Sequence, residues 1–519
     1  MTLSRNLMGV LERQRATRRF DDVAVEHGGE TRTFAQLDEH ARRLAEGLAR
    51  QGVRPGDRVA VLLPNRHEWP ELLFGLAALG AVCVPINVLL RAAEVDHVMS
   101  DSGARVLVAD GRSSGLVADL AEQPELVVRV DGLEVPEGVR SVAYADLLAD
   151  ATSGTPAVVD LHDLACLYYS SGTTGKPKAA AHTHDGILWN SFGQIPDFRL
   201  QRDDVYLCVP SLSWAAGFHD VTLALWWLGG RNVLAPTGGT GPEEIVELVE
   251  RHGVSHTLLV PTLLRQFAAR PDLLARLRDS SLRWVISGTE PVPVPLIETM
   301  ADALPDVAVL QGYGLSEFPT AATVLQPEEA VTHFGSAGRP MSYVDLALRD
   351  AEGRIVREGE GEILLRSPAT MVGYHERPEQ TAEAFRDGWL NTGDLGRVDA
   401  EGHLTITGRT KDMIISGGLN VYPKEIEEVL YRQPGVEEAT VVGLPDERWG
   451  EIPVAVVVPS AEGVDVEGVL AACRTGLASY KAPRRVLVRD EPLPRTATGK
   501  VVKRDVQPWA AEAIAGAEA

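Results

Sequence analysis

Three segments of the chain share one pattern: a helix-period segment, a short turn, and then a strand that is apolar along its whole length. The three strands are Arg58–Leu63, Arg105–Ala109 and Thr257–Val260. A strand without polar alternation has to be covered on both faces, and the helices between such strands supply the cover. The pattern therefore predicts an α/β fold in which helices pack on both faces of buried sheets.

The helix before the first of these strands carries its own start and stop signals. Thr33 and Gln36 form the Ser/Thr-x-x-Gln pattern of a capping box, in which side chain and backbone satisfy each other's hydrogen-bonding groups. Apolar residues then recur at helical spacing as far as Leu48, and Gly52 is the expected stop. This helix is the first element that we expect.

The pattern of predicted elements changes after about residue 340, where short strands alternate with turns that contain Gly and Asp. The expected strands are Val344–Leu348, Gly361–Arg366 and His403–Thr407. Beyond Gly408 a compact segment follows, with its own helix at Pro423–Arg432.

This change predicts a mixed α+β chain of two unequal parts. We expect a large N-terminal domain of layered α/β sheets at residues 1–408, which includes a small β-rich subdomain at about 340–408. A small α+β C-terminal domain is expected at residues 409–519.

Composition limits the classes of function. The chain has 519 residues, with 50 Lys and Arg against 73 Asp and Glu, which gives a formal net charge of −23. A chain this acidic is repelled by phosphate backbones, so we expect no nucleic acid among its partners. The four cysteines, Cys83, Cys166, Cys208 and Cys473, lie far apart and form no CxxC pair. They are interpreted as buried thiols in a reducing compartment, which predicts a cytoplasmic protein.

One apolar stretch, Leu72–Leu90, has no charged residue and is nearly long enough to span a bilayer. Pro85 would break a membrane helix where continuity is needed most. We therefore predict a buried helix from about Glu68 to Leu79, a stop at Gly80 and then a short strand, with no insertion into a membrane.

The segment Ser170–Lys178 is rich in glycine, hydroxyl and lysine side chains and follows a buried strand at Leu164–Tyr169. Glycines allow close backbone approach to an anion, and hydroxyls, amides and lysines bind phosphate oxygens. It is not a Walker A loop, because Ser170 stands where the first glycine should be and Pro177 follows the lysine. Taken alone, the segment is equally compatible with a flexible surface turn.

Four further motifs are each compatible with an ordinary turn. They are Gln311–Glu317, Thr392–Asp394, Gly408–Asp412 and Pro494–Lys500. In the first of them, an aromatic ring can pack on a purine base and a carboxylate can hold Mg²⁺.

Together and in this order, these motifs resemble the adenylate-forming superfamily of acyl-CoA synthetases, non-ribosomal peptide adenylation domains and firefly luciferases. The resemblance extends from Thr33 to about Lys503. It implies that a carboxylic acid reacts with Mg²⁺ and ATP to give an acyl-adenylate and pyrophosphate, and that the acyl group then passes to a thiol. Mg²⁺ is the implied cofactor, with ATP and CoA as cosubstrates.

The resemblance also implies a set of site residues. It gives catalytic roles to Lys500, Glu317 and Thr173, of which Thr173 and Glu317 also hold the metal. Tyr313 packs on the adenine, Asp394 accepts the ribose hydroxyls beside Arg409, and Lys500 reaches the α-phosphate and the attacking carboxylate. The implied nucleotide-binding residues are Ser170, Ser171, Gly172, Thr173, Thr174, Gly175, Lys176, Lys178, Gly288, Thr289, Glu290, Gly312, Tyr313, Gly314, Ser316, Asp394, Arg409 and Lys500.

A mobile C-terminal domain is implied as well. Lys411 matches the hinge, about which the small domain swings after adenylation. The swing removes Lys500 and brings Gly417 and Gly418 to the CoA channel.

The largest departure from the family pattern is in the implied acyl pocket. Many relatives carry a histidine where this chain has Ser213 and Trp214. Trp214 either packs in the wall of the pocket or shapes the site of the acid. His219 and Asp220 are expected on the helix that follows. His219 is either a helix residue with its hydrogen bonds made or a substrate contact. The expected pocket residues are Trp214, Ala215, Gly217, Phe218, His219, Gly288 and Gly314.

Three functions follow from this. The first is an AMP-forming acyl-CoA ligase for a small or medium carboxylic acid, with aromatic and alicyclic acids included. The second is a stand-alone adenylating enzyme that loads the phosphopantetheine of a carrier protein. The third is a pseudoenzyme that only binds nucleotide. The expected partners are the acid, ATP and CoA; a carrier protein and a homodimer are left open.

Overall fold

The computed structural model describes residues 4, 6–149, 158–170, 177–288, 292, 294–330, 332–333, 335–446, 448–461, 463–495 and 501–518. For residues 170, 294 and 516–518 it describes the backbone only.

The strands, in chain order, are β1 (Val23–His27), β2 (Glu30–Thr33), β3 (Arg58–Leu62), β4 (Val82–Pro85), β5 (Val106–Asp110), β6 (Leu126–Val130), β7 (Ser141–Ala143), β8 (Leu164–Ser170), β9 (Lys178–Thr183), β10 (Val205–Cys208), β11 (Arg231–Leu234), β12 (His256–Leu258), β13 (Trp284–Ser287), β14 (Ala308–Leu315), β15 (Phe318–Leu325), β16 (Arg339–Pro340), β17 (Asp345–Arg349), β18 (Ile355–Val356), β19 (Gly359–Arg366), β20 (Gly373–Tyr374), β21 (Phe385–Arg386), β22 (Trp389–Val398), β23 (Leu404–Arg409), β24 (Ile414–Ser416), β25 (Leu419–Val421), β26 (Val436–Asp446), β27 (Gly450–Pro459) and β28 (Arg485–Val488).

The helices are α1 (Gly9–Ala16), α2 (Phe34–Arg50), α3 (Glu68–Leu79), α4 (Ala92–Ser102), α5 (Ser114–Ala118), α6 (Tyr144–Ala149), α7 (His184–Asp197), α8 (Ala215–His219), α9 (Thr222–Leu228), α10 (Pro242–His252), α11 (Pro261–Ala268), α12 (Pro271–Arg278), α13 (Val294–Ala303), α14 (Pro327–Ala330), α15 (Pro378–Ala384), α16 (Pro423–Tyr431), α17 (Val466–Gly476) and α18 (Lys503–Glu518), with 3₁₀ turns at Gly111–Ser113 and Thr410–Asp412.

Two large sheets contain the long apolar strands. An eight-stranded sheet has the order β20-β9-β8-β4-β3-β5-β6-β7, and a nine-stranded sheet has the order β16-β15-β14-β13-β12-β10-β11-β1-β2. Their centres are parallel, whereas β8, β9 and β20 at one edge and β14, β15 and β16 at another pair antiparallel. The predicted α/β layering is confirmed.

Strand β3 explains why these strands lack polar alternation. Val59 and Val61 belong to one apolar core, whereas Ala60 and Leu62 belong to another on the opposite face. Both faces of the strand are therefore buried, as the continuous apolar sequence requires.

The rest of the chain forms two smaller sheets. A six-stranded antiparallel sheet has the order β18-β17-β19-β22-β21, with β23 paired to β22. A five-stranded sheet has the order β25-β24-β27-β26, with β28 paired to β27. Helices α16 and α17 pack on one face of this last sheet, and α18 packs on the other.

Local signals locate several helix ends correctly. Thr33 and Gln36 make both hydrogen bonds of the predicted capping box at the start of α2. Helix α3 covers the predicted residues and stops at Gly80, whose φ of 77° is left-handed. In the described part of the chain, no helix combines the length and the apolar character that crossing a membrane would require.

Two sequence predictions were wrong in detail. The strand expected at Thr257–Val260 ends at Leu258, because Val260 is the N-cap of α11 and Pro261 occupies its first position. Asp220, expected on a helix with His219, instead follows α8 in an extended conformation. The next residue, Val221, has a φ of 67°, which is incompatible with a continued helix.

Candidate active site

Asp394 lies where a hairpin of the nine-stranded sheet meets a hairpin of the six-stranded sheet. Tyr313, on β14, donates its hydroxyl hydrogen to Oδ2 of Asp394 across 2.7 Å. Arg409, the residue paired with Asp394 between β22 and β23, has its Nε atom 2.9 Å from Oδ1. Each oxygen of this buried carboxylate therefore has one charged or polar partner from the protein.

This arrangement fixes the charges of Tyr313 and Arg409. Burial, followed by the negative charge of Asp394, raises the pKa of Tyr313 well above its usual range, so the phenol stays neutral. Burial lowers the pKa of Arg409, but the carboxylates of Asp394 and Asp412 more than compensate and raise it overall. The site therefore consists of the neutral Tyr313 phenol and the Arg409 guanidinium on either side of the Asp394 carboxylate.

Glu317 lies in the connection between β14 and β15, next to Tyr374 of β20. The Tyr374 hydroxyl donates to Oε1 of Glu317 across 2.9 Å, and the Lys178 ammonium lies 5.1 Å from the centre of the Tyr374 ring. Lys178 is the last residue of the predicted phosphate loop. The structure therefore brings the end of that loop close to the predicted metal ligand.

His182 makes a hydrogen bond to the turn between β14 and β15, which carries Glu317. Its Nε2 atom donates to the carbonyl oxygen of Ser316 across 2.8 Å. Burial lowers the pKa of His182 to about 4, so the ring is neutral and carries its hydrogen on Nε2.

Helix α4 holds both ends of the predicted phosphate loop. Asp101 accepts a hydrogen bond from the Tyr169 hydroxyl at 3.0 Å and is also paired with Arg377. His97 donates from Nε2 to the carbonyl oxygen of Pro177 across 3.1 Å. The sequence analysis missed these helix residues, because an Asp or a His on a helix gives no signal that it contacts a distant loop.

Two buried polar atoms on the neighbouring strands β13 and β14 have no hydrogen bond to the described protein. They are Oγ of Ser287, at the end of β13, and Nε2 of Gln311, its neighbour on β14. Gly288 lies so close to Gly312 that an added Cβ would stand 3.0 Å from the Gly312 carbonyl oxygen. Buried polar atoms of this kind normally have a partner, and a ligand could provide one.

The predicted acyl pocket has two positions where only glycine fits. A Cβ on Gly217 would stand 2.0 Å from the Ser211 carbonyl oxygen, and one on Gly314 would stand 1.2 Å from that of Thr320.

Trp214 is the N-cap of α8, and its indole nitrogen makes no hydrogen bond to the described protein. Ala215, the first residue of the helix, is buried.

Phe218 and His219 point into the protein. The His219 ring is buried, its centroid lies 5.2 Å from that of Tyr168, and neither of its nitrogens has a hydrogen-bond partner in the described ranges. Burial lowers the pKa of His219 to about 3. Among the described residues, the ring therefore lacks the hydrogen bonds that a satisfied helix histidine would have.

Asp220 is a buried carboxyl group that the sequence analysis did not single out. Gln194 donates to its Oδ1 atom across 3.1 Å, and the hydroxyl of Thr320 donates to the same oxygen. Burial raises the pKa of Asp220 from 3.8 to about 7 in spite of these hydrogen bonds. The carboxyl group therefore keeps its proton to a much higher pH than an exposed aspartate does.

The residues predicted for the hinge and the CoA channel lie just before the five-stranded sheet and in its first turn. Lys411 is the central residue of the Thr410–Asp412 turn. Gly417 and Gly418, with φ values of 60° and 80°, form the turn between β24 and β25. An added Cβ on Gly417 would stand 2.7 Å from the Trp449 ring.

Several predicted site residues lie outside the described residues. They are Ser171, Gly172, Thr173, Thr174, Gly175, Lys176, Thr289, Glu290 and Lys500, together with the side chain of Ser170.

Comparison with known proteins identifies the same family that the motifs resemble. The profile of the AMP-binding enzyme family matches residues 11–375, and that of the AMP-binding enzyme C-terminal domain matches residues 425–500. A feruloyl-CoA synthase from Amycolatopsis sp. is 41% identical over 489 residues, which cover 93% of this chain and 95% of that protein. The long-chain-fatty-acid–CoA ligase FadD13 of Mycobacterium tuberculosis is 38% identical over 91% of this chain and 92% of its own.

Solved structures give the same result. The anthranilate CoA ligase AuaEII in complex with anthranoyl-AMP superposes with a TM-score of 0.88 at 29% identity, and 99% of each chain is covered. The chain belongs to the AMP-binding enzyme family, and within it to the acyl-CoA synthetases, the AMP-forming acid–thiol ligases of the adenylate-forming superfamily.

Proposed function

We propose that the protein activates an aromatic carboxylic acid with Mg²⁺ and ATP and transfers the acyl group to the thiol of free CoA. The observation that carries the proposal is the buried Asp394 carboxylate, held by Tyr313 and Arg409. A carboxylate oriented in this way is suited to accept the two hydroxyls of a ribose, because its oxygens retain lone pairs after each has bound one protein donor.

The nucleotide would extend from this carboxylate in two directions. Toward the base, the Ser287 hydroxyl and the Gln311 amide nitrogen, which have no partner among the described residues, would offer hydrogen bonds to the adenine edge, and Tyr313 would offer a ring face. Toward the phosphates lies Lys178, at the end of the glycine-rich segment.

The residues present fit Mg²⁺, which prefers carboxylate, hydroxyl and phosphate oxygens. Glu317 is half-buried, and only its Oε1 atom accepts a hydrogen bond from the described residues. Glu317 and Thr173 would hold the ion, which would supply positive charge to the phosphate oxygens when bound.

Lys500 would provide the second positive charge. In the first half-reaction an oxygen of the carboxylate attacks the α-phosphorus, and pyrophosphate leaves with the electrons of the broken P–O bond. Two anions have to meet for this to happen. An ammonium about 4 Å from one anion contributes roughly 4 kcal/mol at an effective dielectric constant of 20.

In the second half-reaction a thiolate attacks the acyl carbonyl carbon and AMP leaves. We propose that the domain at residues 409–519 turns about Lys411 between the two steps, so that Gly417 and Gly418 replace Lys500 at the site. Free CoA is favoured over a carrier protein because the two curated relatives reported above are named as a CoA synthase and a CoA ligase. Unpaired thiols at all four cysteines fit a reducing cytoplasm as the place of the reaction.

The acid is proposed to be aromatic for two reasons. Two of the three relatives reported above are named for aromatic acids, ferulate and anthranilate. The rings of Phe218 and His219 on α8 and of Tyr168 on β8 also lie together, and an aromatic cluster at the predicted acyl pocket would suit an aryl group.

The test is a panel of acids assayed for ATP-dependent pyrophosphate release without CoA, and then for AMP and thioester formation with CoA. We expect cinnamic, benzoic or arylacetic acids to turn over at least about tenfold better, in kcat/KM, than palmitate. Better turnover of palmitate would contradict the aromatic assignment. Adenylation without thioester formation on free CoA would favour a carrier protein, and no pyrophosphate release with any acid would favour the nucleotide-binding pseudoenzyme.

A further inference from the structure

Two histidines and a carboxylate meet away from the nucleotide site. His333 follows α14, in the connection between β15 and β16, whereas Asp399 and His403 belong to the turn between β22 and β23. One ligand-capable atom from each of the three lies within 4.8 Å of the other two. Residues of two different sheets thus converge on one point.

His403 is the central residue of this cluster. It is 1% exposed, and neither ring nitrogen makes a hydrogen bond in the part of the chain that the structure describes. The nearest carboxylate oxygens are those of Glu329, 3.3 Å from Nε2, and Asp399, 3.7 Å from Nδ1. Burying an imidazole without hydrogen bonds costs free energy, so its nitrogens are expected to have a partner.

The surroundings of His403 are rich in negative charge. Nε2 of His333 lies 2.9 Å from Oε2 of Glu401, and Glu329 and Asp399 lie on other sides of the cluster. Arg339 is paired with Glu329 and offsets one of these three charges. The two imidazole rings are stacked with their centroids 3.6 Å apart.

We propose that His333, Asp399 and His403 form a structural site for a divalent transition metal of the zinc type, with Glu401 as a fourth ligand. Imidazole nitrogen together with carboxylate oxygen is a donor set that zinc accepts, whereas magnesium takes oxygen ligands only. Bonds of about 2.0–2.2 Å require the ligand atoms to approach to roughly 3.3 Å. Rotation of the partly exposed side chains of His333 and Glu401 provides this movement and separates the stacked rings.

The position of the site gives it a structural role. The same two segments are already joined by the hydrogen bonds from Ala337 N to Leu404 O and from Leu404 N to Gly338 O, at 2.7 and 2.8 Å. The hairpin of β22 and β23 carries the cluster at its turn and Asp394 with Arg409 near its other end. A bound metal would fix the turn to the nine-stranded sheet and so restrain the hairpin that holds Asp394.

The experiment uses the full chain without an affinity tag, treated with chelator and free of nucleotide, and titrates it with Zn²⁺ by calorimetry. We expect one saturable site. His333→Ala should weaken zinc binding at least about tenfold, because losing even an outer-shell partner of a ligand costs about that much. His162→Ala, which removes an exposed histidine outside the cluster, is the matched control and should bind as the wild type does. Zinc should also raise the melting temperature of the wild type and of the control, and should raise that of His333→Ala by less at the same zinc concentration.

Three outcomes would overturn the proposal. They are the absence of saturable zinc binding, unchanged affinity in His333→Ala, and an equal thermal shift in that variant. Glu401→Gln, at a carboxylate that is 65% exposed, supplies a second variant with little risk to folding and should also weaken zinc binding. Co²⁺ titration gives an independent readout, since its visible absorption bands become much stronger when the ion leaves water for a tetrahedral site, and this increase should be smaller in both variants.

Discussion

The Tyr313 hydroxyl and the Asp394 carboxylate are 2.7 Å apart, although 81 positions separate them in the chain. The bond joins β14 of the nine-stranded sheet to β22 of the six-stranded sheet, so the carboxylate that we propose to bind the ribose is oriented by a residue of a different sheet. Nucleotide affinity should therefore depend on the phenol hydroxyl, separately from the aromatic ring.

Tyr313→Phe tests this dependence. The change keeps the ring but leaves one oxygen of a buried carboxylate without its donor, and a hydrogen bond to a charged group is worth about 1.5–3 kcal/mol. We expect the KM for ATP in pyrophosphate release to rise by roughly 10- to 100-fold, with a smaller change in the KM for the acid.

The matched control is Tyr144→Phe. Tyr144 also donates to a buried carboxylate, that of Glu71 at 2.5 Å, but in a pair between α6 and α3. This variant should lose stability and keep the wild-type KM for ATP. An equal rise in KM in both variants would mean that the effect of Tyr313→Phe comes from general loosening of the fold.

Lys500→Ala should lower the rate of adenylation by about 10²–10³-fold, comparable to the loss of one preorganised donor at a developing charge. The physical reason is that the ammonium acts on the carboxylate and the α-phosphate at the moment when they react. Pyrophosphate release measured in single turnover isolates this step.

Lys503→Ala is the control for that variant. Lys503 lies three positions further along and is paired with Glu427 at 2.7 Å, so its removal weakens the small domain without removing a charge proposed for the chemistry. Unchanged pyrophosphate formation in Lys500→Ala, or an equal loss in Lys503→Ala, would refute the role assigned to Lys500.

Lys411→Pro should separate the two half-reactions. Proline fixes φ, so the backbone rotation proposed for the Thr410–Asp412 turn becomes restricted. We expect pyrophosphate release to stay within a few-fold of wild type and thioester formation from preformed acyl-adenylate to fall at least about tenfold.

A second proline distinguishes a blocked hinge from a general effect of proline on the small domain. Val466 is the first residue of α17, a position that tolerates proline because its N–H has no partner within a helix. Val466→Pro should keep both half-reactions. Equal loss of both half-reactions in Lys411→Pro would argue against this pivot.

Local sequence signals were enough to predict much of the fold. The Gly80 stop, the Thr33 capping box and the doubly buried β3 all depend on interactions within a few residues or on burial that the apolar pattern reveals directly. The end of β12 was misplaced because two local signals compete there. The apolar run predicts a longer strand, whereas Pro261, three residues after the strand ends, starts a new helix.

The contacts of the site could be predicted only in part. The resemblance named Tyr313 and Asp394 but not the bond between them, and nothing in the sequence connects Asp101 with Tyr169 or with Arg377, 68 and 276 positions away. These contacts arise from the packing of one sheet or helix against another. A single sequence contains no record of such distant partners.

The ionisation of Asp220 leads to a prediction about pH. Its pKa is raised from 3.8 to about 7 by burial, so between these values the folded state keeps a proton that the unfolded state has released. Because the unfolded state then binds fewer protons, this group makes the free energy of unfolding fall as the pH rises from about 4 to about 7. The buried His182 and His219, with pKa values lowered to about 4 and about 3, act in the opposite direction and reduce stability below about pH 6.5.

Asp220→Asn isolates the contribution of the carboxyl group from that of the histidines. Asparagine cannot ionise, yet its amide oxygen can still accept the hydrogen bonds from Gln194 and Thr320. The difference in unfolding free energy, variant minus wild type, should therefore increase between pH 5 and pH 8 by a few kcal/mol, at about 1.4 kcal/mol for each unit of pKa shift. Urea denaturation at pH 5, 6, 7 and 8 measures this difference, and Asp302→Asn, at an exposed position on α13, controls for the loss of one negative charge. A difference that stays constant with pH would mean that Asp220 is ionised throughout, and that its hydrogen bonds outweigh its burial.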